Sequence, residues 1–198
     1  MGYRIYSTEG LILASTNFGE ANKLVKIFTL KFGLINILAQ GLRAGKSKLR
    51  SLVEPISLSE ISLIRGREFW RLVGAEEIDD FKKLKNDNDK KKPAGRIFNL
   101  LIRLISGEEK NEELYLVVKE GLLFLQTIEG DKKEELLLTW ESLMVLRILK
   151  HLGYKITNEK LDPFLITDGW TREELWAFSA KRREANLVIN FLLKHSQL

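Results

Sequence analysis

The stretch that decides the fold is YRIYSTEGLILASTNFGEANKLVKIFTLKFGLINILA, residues 3–39. It contains short apolar runs separated by segments with glycine, and two more runs of the same kind follow it. Such runs are typical of β-strands joined as hairpins, because glycine readily adopts the positive φ that tight turns require. The five runs are Tyr3–Leu13, Lys23–Leu30, Leu34–Ala39, Ile56–Ile64 and Glu68–Ala75. The pattern therefore predicts five strands, with consecutive strands paired antiparallel.

Several of these runs do not alternate strictly between apolar and polar residues, as in Leu11-Ile12-Leu13. This is expected where a small curved sheet wraps around its own core. Five strands in roughly 75 residues fit a closed barrel, and the OB-fold is a common form of it. The size and apolarity of Trp70 predict that it lies in the barrel core, with Arg71 on the opposite face of the strand.

The second part of the chain has the apolar period of helices. Its stripes predict an all-helical bundle whose longest helix contains Leu137, Trp140 and Met144. The boundary signals are Pro93 and Asn111 at the starts of the first two helices, Asp131 and Glu134 at the start of the third, Gly153 at its end, and Thr171 with Glu174 as a capping box before the next.

The fold class predicted is therefore α+β with two domains. Residues 1–80 form the OB-fold barrel and residues 93–198 the helical domain. Between them, residues 81–92 are polar and basic and are predicted to form a linker that Phe81 and Leu84 anchor. No internal repeat is evident.

Residues that could carry catalysis are few. The chain has no cysteine and only two histidines, His151 and His195, which are interpreted as ordinary residues near helix ends. The carboxylates Asp79, Asp80, Asp87 and Asp89 are interpreted as solvated loop charges. Residues 41–47 fall one residue short of a phosphate-binding loop. We therefore predict no enzymatic activity, no cofactor and no metal site.

No apolar stretch reaches the roughly 18 residues that a transmembrane helix needs, and the start of the chain lacks the apolar run of a signal peptide. The sequence therefore predicts a cytoplasmic protein without a membrane partner. The net charge is +5. Residues 1–78 hold 11 basic and 7 acidic side chains, so most of the excess lies in the predicted barrel, which suits a polyanionic partner.

Two basic clusters in the barrel point to nucleic acid. Residues 41–50 contain four cations, two glycines and no acid, and the last hairpin interleaves three arginines with Phe69 and Trp70. The alternative interpretation is that the basic residues of these clusters are solvated surface charges that bind no ligand. The predicted DNA-binding residues are Lys23, Lys26, Arg43, Lys46, Lys48, Arg50, Arg65, Arg67 and Arg71.

The N-terminal segment also resembles the RecO family of bacterial DNA repair and recombination mediators. The resemblance runs through Glu9–Leu13, Phe18–Val25, Phe28–Thr29, Lys31–Gly33, Ala39–Arg43, Lys46–Leu49 and Leu52–Pro55. In the second half, Trp140-Glu141 and Leu152-Gly153-Tyr154 are similar to the family's long helix and the element that ends it.

The resemblance implies an N-terminal OB-fold that binds single- and double-stranded DNA, anneals complementary strands and helps to replace single-strand-binding protein with recombinase. It implies RecR as a partner, and the acidic tail of single-strand-binding protein as another. Many family members carry a four-cysteine zinc element after the Leu-Gly-Tyr motif. Residues 155–170 contain no cysteine here, so zinc is not implied.

Two alternatives stay open from the sequence. In one, the protein is an adaptor whose helical half binds the acidic tail of single-strand-binding protein in an apolar pocket beside Arg147, Lys150 or Lys181, while the barrel contributes little. In the other, the barrel binds RNA, although no residue pattern indicates recognition of a 2′-hydroxyl.

Overall fold

The computed structural model describes residues 4–41 and 53–195. Contacts between Cα atoms divide the chain into two compact units. The barrel unit comprises Met1–Lys82 with Phe98–Tyr115, and the helical unit comprises Lys83–Ile97 with Leu116–Leu198. Each unit is considered by itself below.

The barrel unit contains five strands that close into a barrel in the order β1-β2-β3-β5-β4. They are β1 Ile5–Phe18, β2 Asn22–Thr29, β3 Gly33–Ala39, β4 Ser57–Arg65 and β5 Trp70–Asp79. All pairs are antiparallel except β3 with β5, which are parallel over only two residue pairs, Ile37 with Trp70 and Leu38 with Arg71. The predicted five-stranded barrel followed by helices is confirmed.

The barrel core explains why the first run does not alternate. A bulge between Ile12 and Ala14 shifts the register of β1 against β2, so Leu11, Ile12 and Leu13 are all buried. Trp70 is only 2% exposed and belongs to the inner cluster, as predicted, while Arg71 next to it is exposed.

The β2–β3 turn requires glycine at position 33. Gly33 has a φ of +66°, and a Cβ there would lie 2.2 Å from the carbonyl oxygen of Glu109. The Thr29 hydroxyl closes the turn by accepting a hydrogen bond from the Phe32 N–H and donating one to the Gly33 carbonyl. The turn therefore lies directly against the 105–111 segment of the same unit.

Seven helices follow the strands in the described part of the chain. They are α1 Lys82–Lys85, α2 Asn88–Leu104, α3 Glu112–Thr127, α4 Lys133–His151, α5 Pro163–Ile166, α6 Arg172–Ser179 and α7 Arg182–His195. In the helical unit, α4 is buried on most sides and packs against α5, α6 and α7. None of the described helices is long and apolar enough to cross a membrane.

Three of the predicted helix boundaries are confirmed. The Asn111 side chain accepts a hydrogen bond from Leu114 N–H at the start of α3, and the Thr171 hydroxyl accepts one from Glu174 N–H at the start of α6. Gly153, with a φ of +85°, ends α4. The N–H groups of Gly153 and Tyr154 bond back to Lys150 and Leu149, which is a Schellman motif.

Two predicted helix starts are wrong. Pro93 lies inside α2, which begins five residues earlier at Asn88, and the Asp87 carboxylate caps the helix by accepting a hydrogen bond from Asp89 N–H. Helix α4 begins at Lys133 rather than being entered through Asp131 and Glu134. Its N-cap, Lys132, has a left-handed backbone and no side-chain cap.

The sequence suggested that the acidic residues of 79–89 are solvated loop charges, but three of them accept backbone hydrogen bonds. Asp79 and Asp80 accept hydrogen bonds from the N–H groups of Phe81 and Lys82, and Asp87 caps α2. Partial burial acts to raise the pKa of Asp87, but hydrogen bonds from Lys133 and the backbone hold it below its usual value. Residues 82–85 and 88–92 of the predicted linker are helical, and the domain boundaries stay a prediction.

Candidate nucleic-acid interface

A cleft on the barrel unit brings together three of the predicted DNA-binding residues. Arg65, Arg67 and Arg71 line a cavity of about 740 Å³ with two aromatic rings, those of Phe18 and Phe69. The walls also include Leu38, Ile64 and Glu68. The cleft therefore combines a net positive charge with flat apolar surfaces.

The strand register explains why Arg71 faces the cleft. Arg71 lies beside Leu38 of β3 and Ile64 of β4. Trp70, Ile37 and Leu63, the residues that precede them on each strand, point into the core. By alternation, Arg71, Leu38 and Ile64 therefore lie on the outer face. The parallel contact between β3 and β5 thus places residues far apart in the sequence on one wall.

Arg65 is held at the end of β4 by two contacts. Its guanidinium lies over the Trp70 ring, 5.2 Å from the ring centroid, and Nη2 lies 3.1 Å from the Glu108 carboxylate. The same carboxylate accepts a 3.0 Å hydrogen bond from Trp70 Nε1. Trp70 is therefore a buried support for Arg65 and is not a surface on which bases can stack.

Phe18 is an aromatic residue of the cleft that the sequence did not single out as a base contact. It is 44% exposed, and its ring packs edge-on against that of Phe69, with 6.1 Å between centroids. Phe69 is half-buried and was a sequence candidate for stacking. The only sequence signal for Phe18 is its position next to a turn glycine, Gly19. Its partner, Phe69, is about fifty residues away in the sequence.

Two other predicted residues in the described part of the chain do not line the cleft. Lys26 is on the outer face of β2, between Ala14 and Asn36, and does not line the cleft. Lys23 is half-buried, opposite Asn17 and Ala39. Arg43, Lys46, Lys48 and Arg50 lie outside the described residues, so for them the sequence prediction stands as made.

Another part of the barrel surface is acidic. Glu60 of β4 is paired directly with Glu9 of β1 and Glu76 of β5. The Tyr115 hydroxyl donates a 2.9 Å hydrogen bond to Glu9, and burial together with the adjacent Glu9 charge raises the pKa of Tyr115. Three negative charges in register on neighbouring strands repel a polyanion. The barrel therefore has one acidic surface and one basic cleft.

In the described residues, no group of three or more His, Asp or Glu side chains is placed to hold a metal ion. His151 Nε2 lies 3.1 Å from both carboxylate oxygens of Asp168, and His195 Nδ1 lies 2.7 Å from the Phe191 carbonyl. Both histidines thus have local partners near helix ends.

Comparison with known proteins agrees with the fold of the barrel unit. Residues 1–81 match the family model described as "Recombination protein O N terminal". Proteins named "DNA repair protein RecO" match much of the chain: that of Alkaliphilus metalliredigens is 29% identical over 177 residues, and that of Clostridium perfringens is 32% identical over 147 residues. The family match covers residues 1–81, so the barrel part of the chain is similar to the N-terminal part of RecO proteins.

The matches to RecO proteins extend beyond the barrel but leave part of each relative uncovered. The Alkaliphilus match includes 89% of this chain and 68% of the relative. The Clostridium perfringens match includes 73% and 57%, and that of Heliobacterium modesticaldum, at 28% identity, includes 76% and 52%. The chain thus spans between about half and two thirds of the length of these relatives.

Residues 164–174 are organised by Arg147. This α4 side chain is fully buried and donates hydrogen bonds to the carbonyl oxygens of Phe164, Thr167 and Gly169. It also bonds the Glu174 carboxylate at 2.6 Å, and its guanidinium lies 4.5 Å from the Trp170 ring centroid. One guanidinium thus connects five positions of the eleven-residue stretch 164–174.

These contacts engage two of the three cations considered for a peptide pocket. Arg147 is fully buried and bonded within the unit, so its guanidinium is not accessible to a partner peptide. Lys150 bonds the Leu165 carbonyl at 2.6 Å and approaches Asp168. The charges of both side chains are used within the helical unit, and the sequence could not show this because their partners lie 15 to 27 residues away.

Proposed function

We propose that the barrel unit binds DNA and that the chain acts as a non-enzymatic mediator in DNA repair and homologous recombination. The observation that carries the proposal is the cleft in which Arg65, Arg67 and Arg71 meet Phe18 and Phe69. Proteins that bind single strands usually combine cations along the phosphate backbone with aromatic rings on which bases stack. The family supports the same role, because its curated relatives are named as DNA repair proteins.

The chemistry of the cleft is binding without bond making or breaking. In this proposal the guanidinium groups contact phosphates, so binding follows the backbone rather than the sequence. Strands whose charge is screened repel one another less, and complementary segments can then test their register. Because the bound protein screens strand charge, the proposal includes annealing of complementary strands. It also includes loading of recombinase onto strands covered by single-strand-binding protein.

The first test is a titration of labelled single-stranded DNA at several salt concentrations, with the full chain. Each neutralised phosphate is expected to contribute about −0.7 to the slope of log K against log salt. A variant with Arg43, Lys46, Lys48 and Arg50 all changed to Ala is expected to bind more weakly, with a shallower slope. An affinity independent of salt would contradict the proposal.

Two further ligands complete the titration. Duplex DNA of the same sequence tests the expectation that both forms bind. RNA of the same sequence tests the alternative substrate, and clearly tighter binding of RNA would replace DNA in the proposal. Annealing is measured separately with complementary oligonucleotides, and the proposal requires the variant with Arg43, Lys46, Lys48 and Arg50 changed to Ala to lose annealing in parallel with binding.

A second candidate function, the adaptor, is favoured by one observation in the helical unit. Leu187 and Phe191 lie one turn apart on α7 and are 66% and 62% exposed. A cavity of about 390 Å³ beside them is lined by Arg182, Arg183 and Leu187. Apolar side chains next to arginines complement an acidic peptide with apolar residues, such as the tail of single-strand-binding protein.

The adaptor role is tested with such an acidic peptide and the full chain. Changing Leu187 and Phe191 together to Ala is expected to reduce peptide affinity about tenfold or more, because exposed apolar anchors contribute most of the energy in small interfaces. Changing Ile166, which is also strongly exposed, to Ala is the control and should leave affinity unchanged. Equal affinity for all three proteins would remove α7 as the site. A RecR-type partner stays part of the proposed function without an assigned surface.

A further inference from the structure

The carboxylate of Glu108 is paired with the guanidinium of Arg65. It lies 3.1 Å from Arg65 Nη2, which is within the range of a charge-assisted hydrogen bond. Arg65 is one of the three arginines of the cleft, and its side chain is 63% exposed. An incoming phosphate therefore meets an arginine that already has an anionic partner.

Glu108 is held in this position from two sides. Its other carboxylate oxygen accepts the hydrogen bond from Trp70 Nε1, and Trp70 is fixed in the barrel core. The adjacent residue, Glu109, lies against Gly33 so closely that no Cβ would fit there. The carboxylate cannot simply move away with a mobile loop, whereas the long and exposed Arg65 side chain can turn away from it.

We propose that Glu108 is an internal competitor for phosphate at Arg65, and so sets how strongly the cleft binds nucleic acid. The inference rests on the proposed DNA-binding function of the cleft. An isolated anion gains too little from one shared arginine to displace a carboxylate fixed by Trp70. A polyanion that also contacts Arg67 and Arg71 draws Arg65 out of the ion pair, and binding thereby favours extended phosphate backbones over single phosphates.

The test compares Glu108→Gln with Glu109→Gln in the full chain. Both remove one negative charge at adjacent positions, but only the first removes the competitor. Glutamine at 108 keeps a carbonyl that accepts from Trp70 Nε1, so the barrel is expected to fold, and thermal unfolding checks this. Glu108→Gln should bind single-stranded DNA about two- to fivefold more tightly than Glu109→Gln, the range of an exposed ion pair.

The role of Arg65 is tested by repeating the comparison in a chain with Arg65→Gln. The difference between the two glutamate variants should disappear there, because no ion pair remains to be broken. If the wild type binds DNA and the two glutamate variants bind equally, the competitor role is wrong while the proposed function stands. If no protein in the set binds DNA, the proposed function fails first.

Discussion

Replacing Arg147 by methionine is expected to destabilise the helical unit by about 3–5 kcal/mol, the usual cost of removing one partner from a buried ion pair. Methionine preserves the length of the side chain but none of its hydrogen bonds. Three carbonyl oxygens of the 164–169 segment lose their donor, and the half-buried Glu174 loses its cation. Denaturant unfolding followed by circular dichroism measures the loss.

The pH dependence of this variant gives an independent check. Burial raises the pKa of Glu174 above its usual value, although Arg147 opposes the shift. Without Arg147 the carboxylate is harder to ionise in the folded state, and its folded pKa rises further. Because this pKa exceeds the unfolded one, stability falls as the pH rises between the two values. The deficit of the variant should therefore shrink at acidic pH, as Glu174 becomes protonated.

Lys150→Met is the matched control, since this neighbouring cation also reaches the 165–168 segment but is about one third exposed. Its loss should cost no more than about 1 kcal/mol. Equal and small effects for both substitutions would mean that Arg147 does not organise the segment.

The sequence predicts the elements better than the contacts between them, for a physical reason. Strand runs and glycine turns are local, so all five strands could be recognised, and Gly153 and Asn111 mark helix ends through bonds to nearby residues. Asp87 was missed as a cap because Pro93 offered a more obvious helix start. A proline removes only the hydrogen bond to the carbonyl four residues before it, and α2 continues through Pro93.

The candidate site shows the same division. Arg65, Arg67 and Arg71 were selected correctly as neighbours because one hairpin carries them. Phe18 and Glu108 join them only through barrel closure and through the packing of the 98–115 segment within the same unit. Arg147 was misinterpreted because a single cation within an apolar helix stripe looks like a charge at the edge of a groove. Its burial is decided by carbonyl groups about 20 residues away.

Changing Arg65, Arg67 and Arg71 together to Gln is expected to lower the affinity for single-stranded DNA on the order of a hundredfold near physiological salt, with a slope shallower by about 2. Each arginine contributes one phosphate contact in this prediction, and the three contacts lie in one continuous cleft. A fluorescence titration at four or five salt concentrations gives both quantities from the same data. The substitutions should not unfold the barrel, because Arg67 and Arg71 are exposed and Arg65 is largely so.

Two controls separate charge from shape. Phe69→Leu removes a ring and no charge, so affinity should fall by about 1–3 kcal/mol if a base stacks there, while the salt slope stays that of the wild type. Changing Lys91, Lys92 and Arg103, three exposed cations of α2, to Gln removes the same charge outside the cleft. If that set reduces the slope as much as the cleft set does, affinity follows net charge alone, and the cleft has no special part in binding.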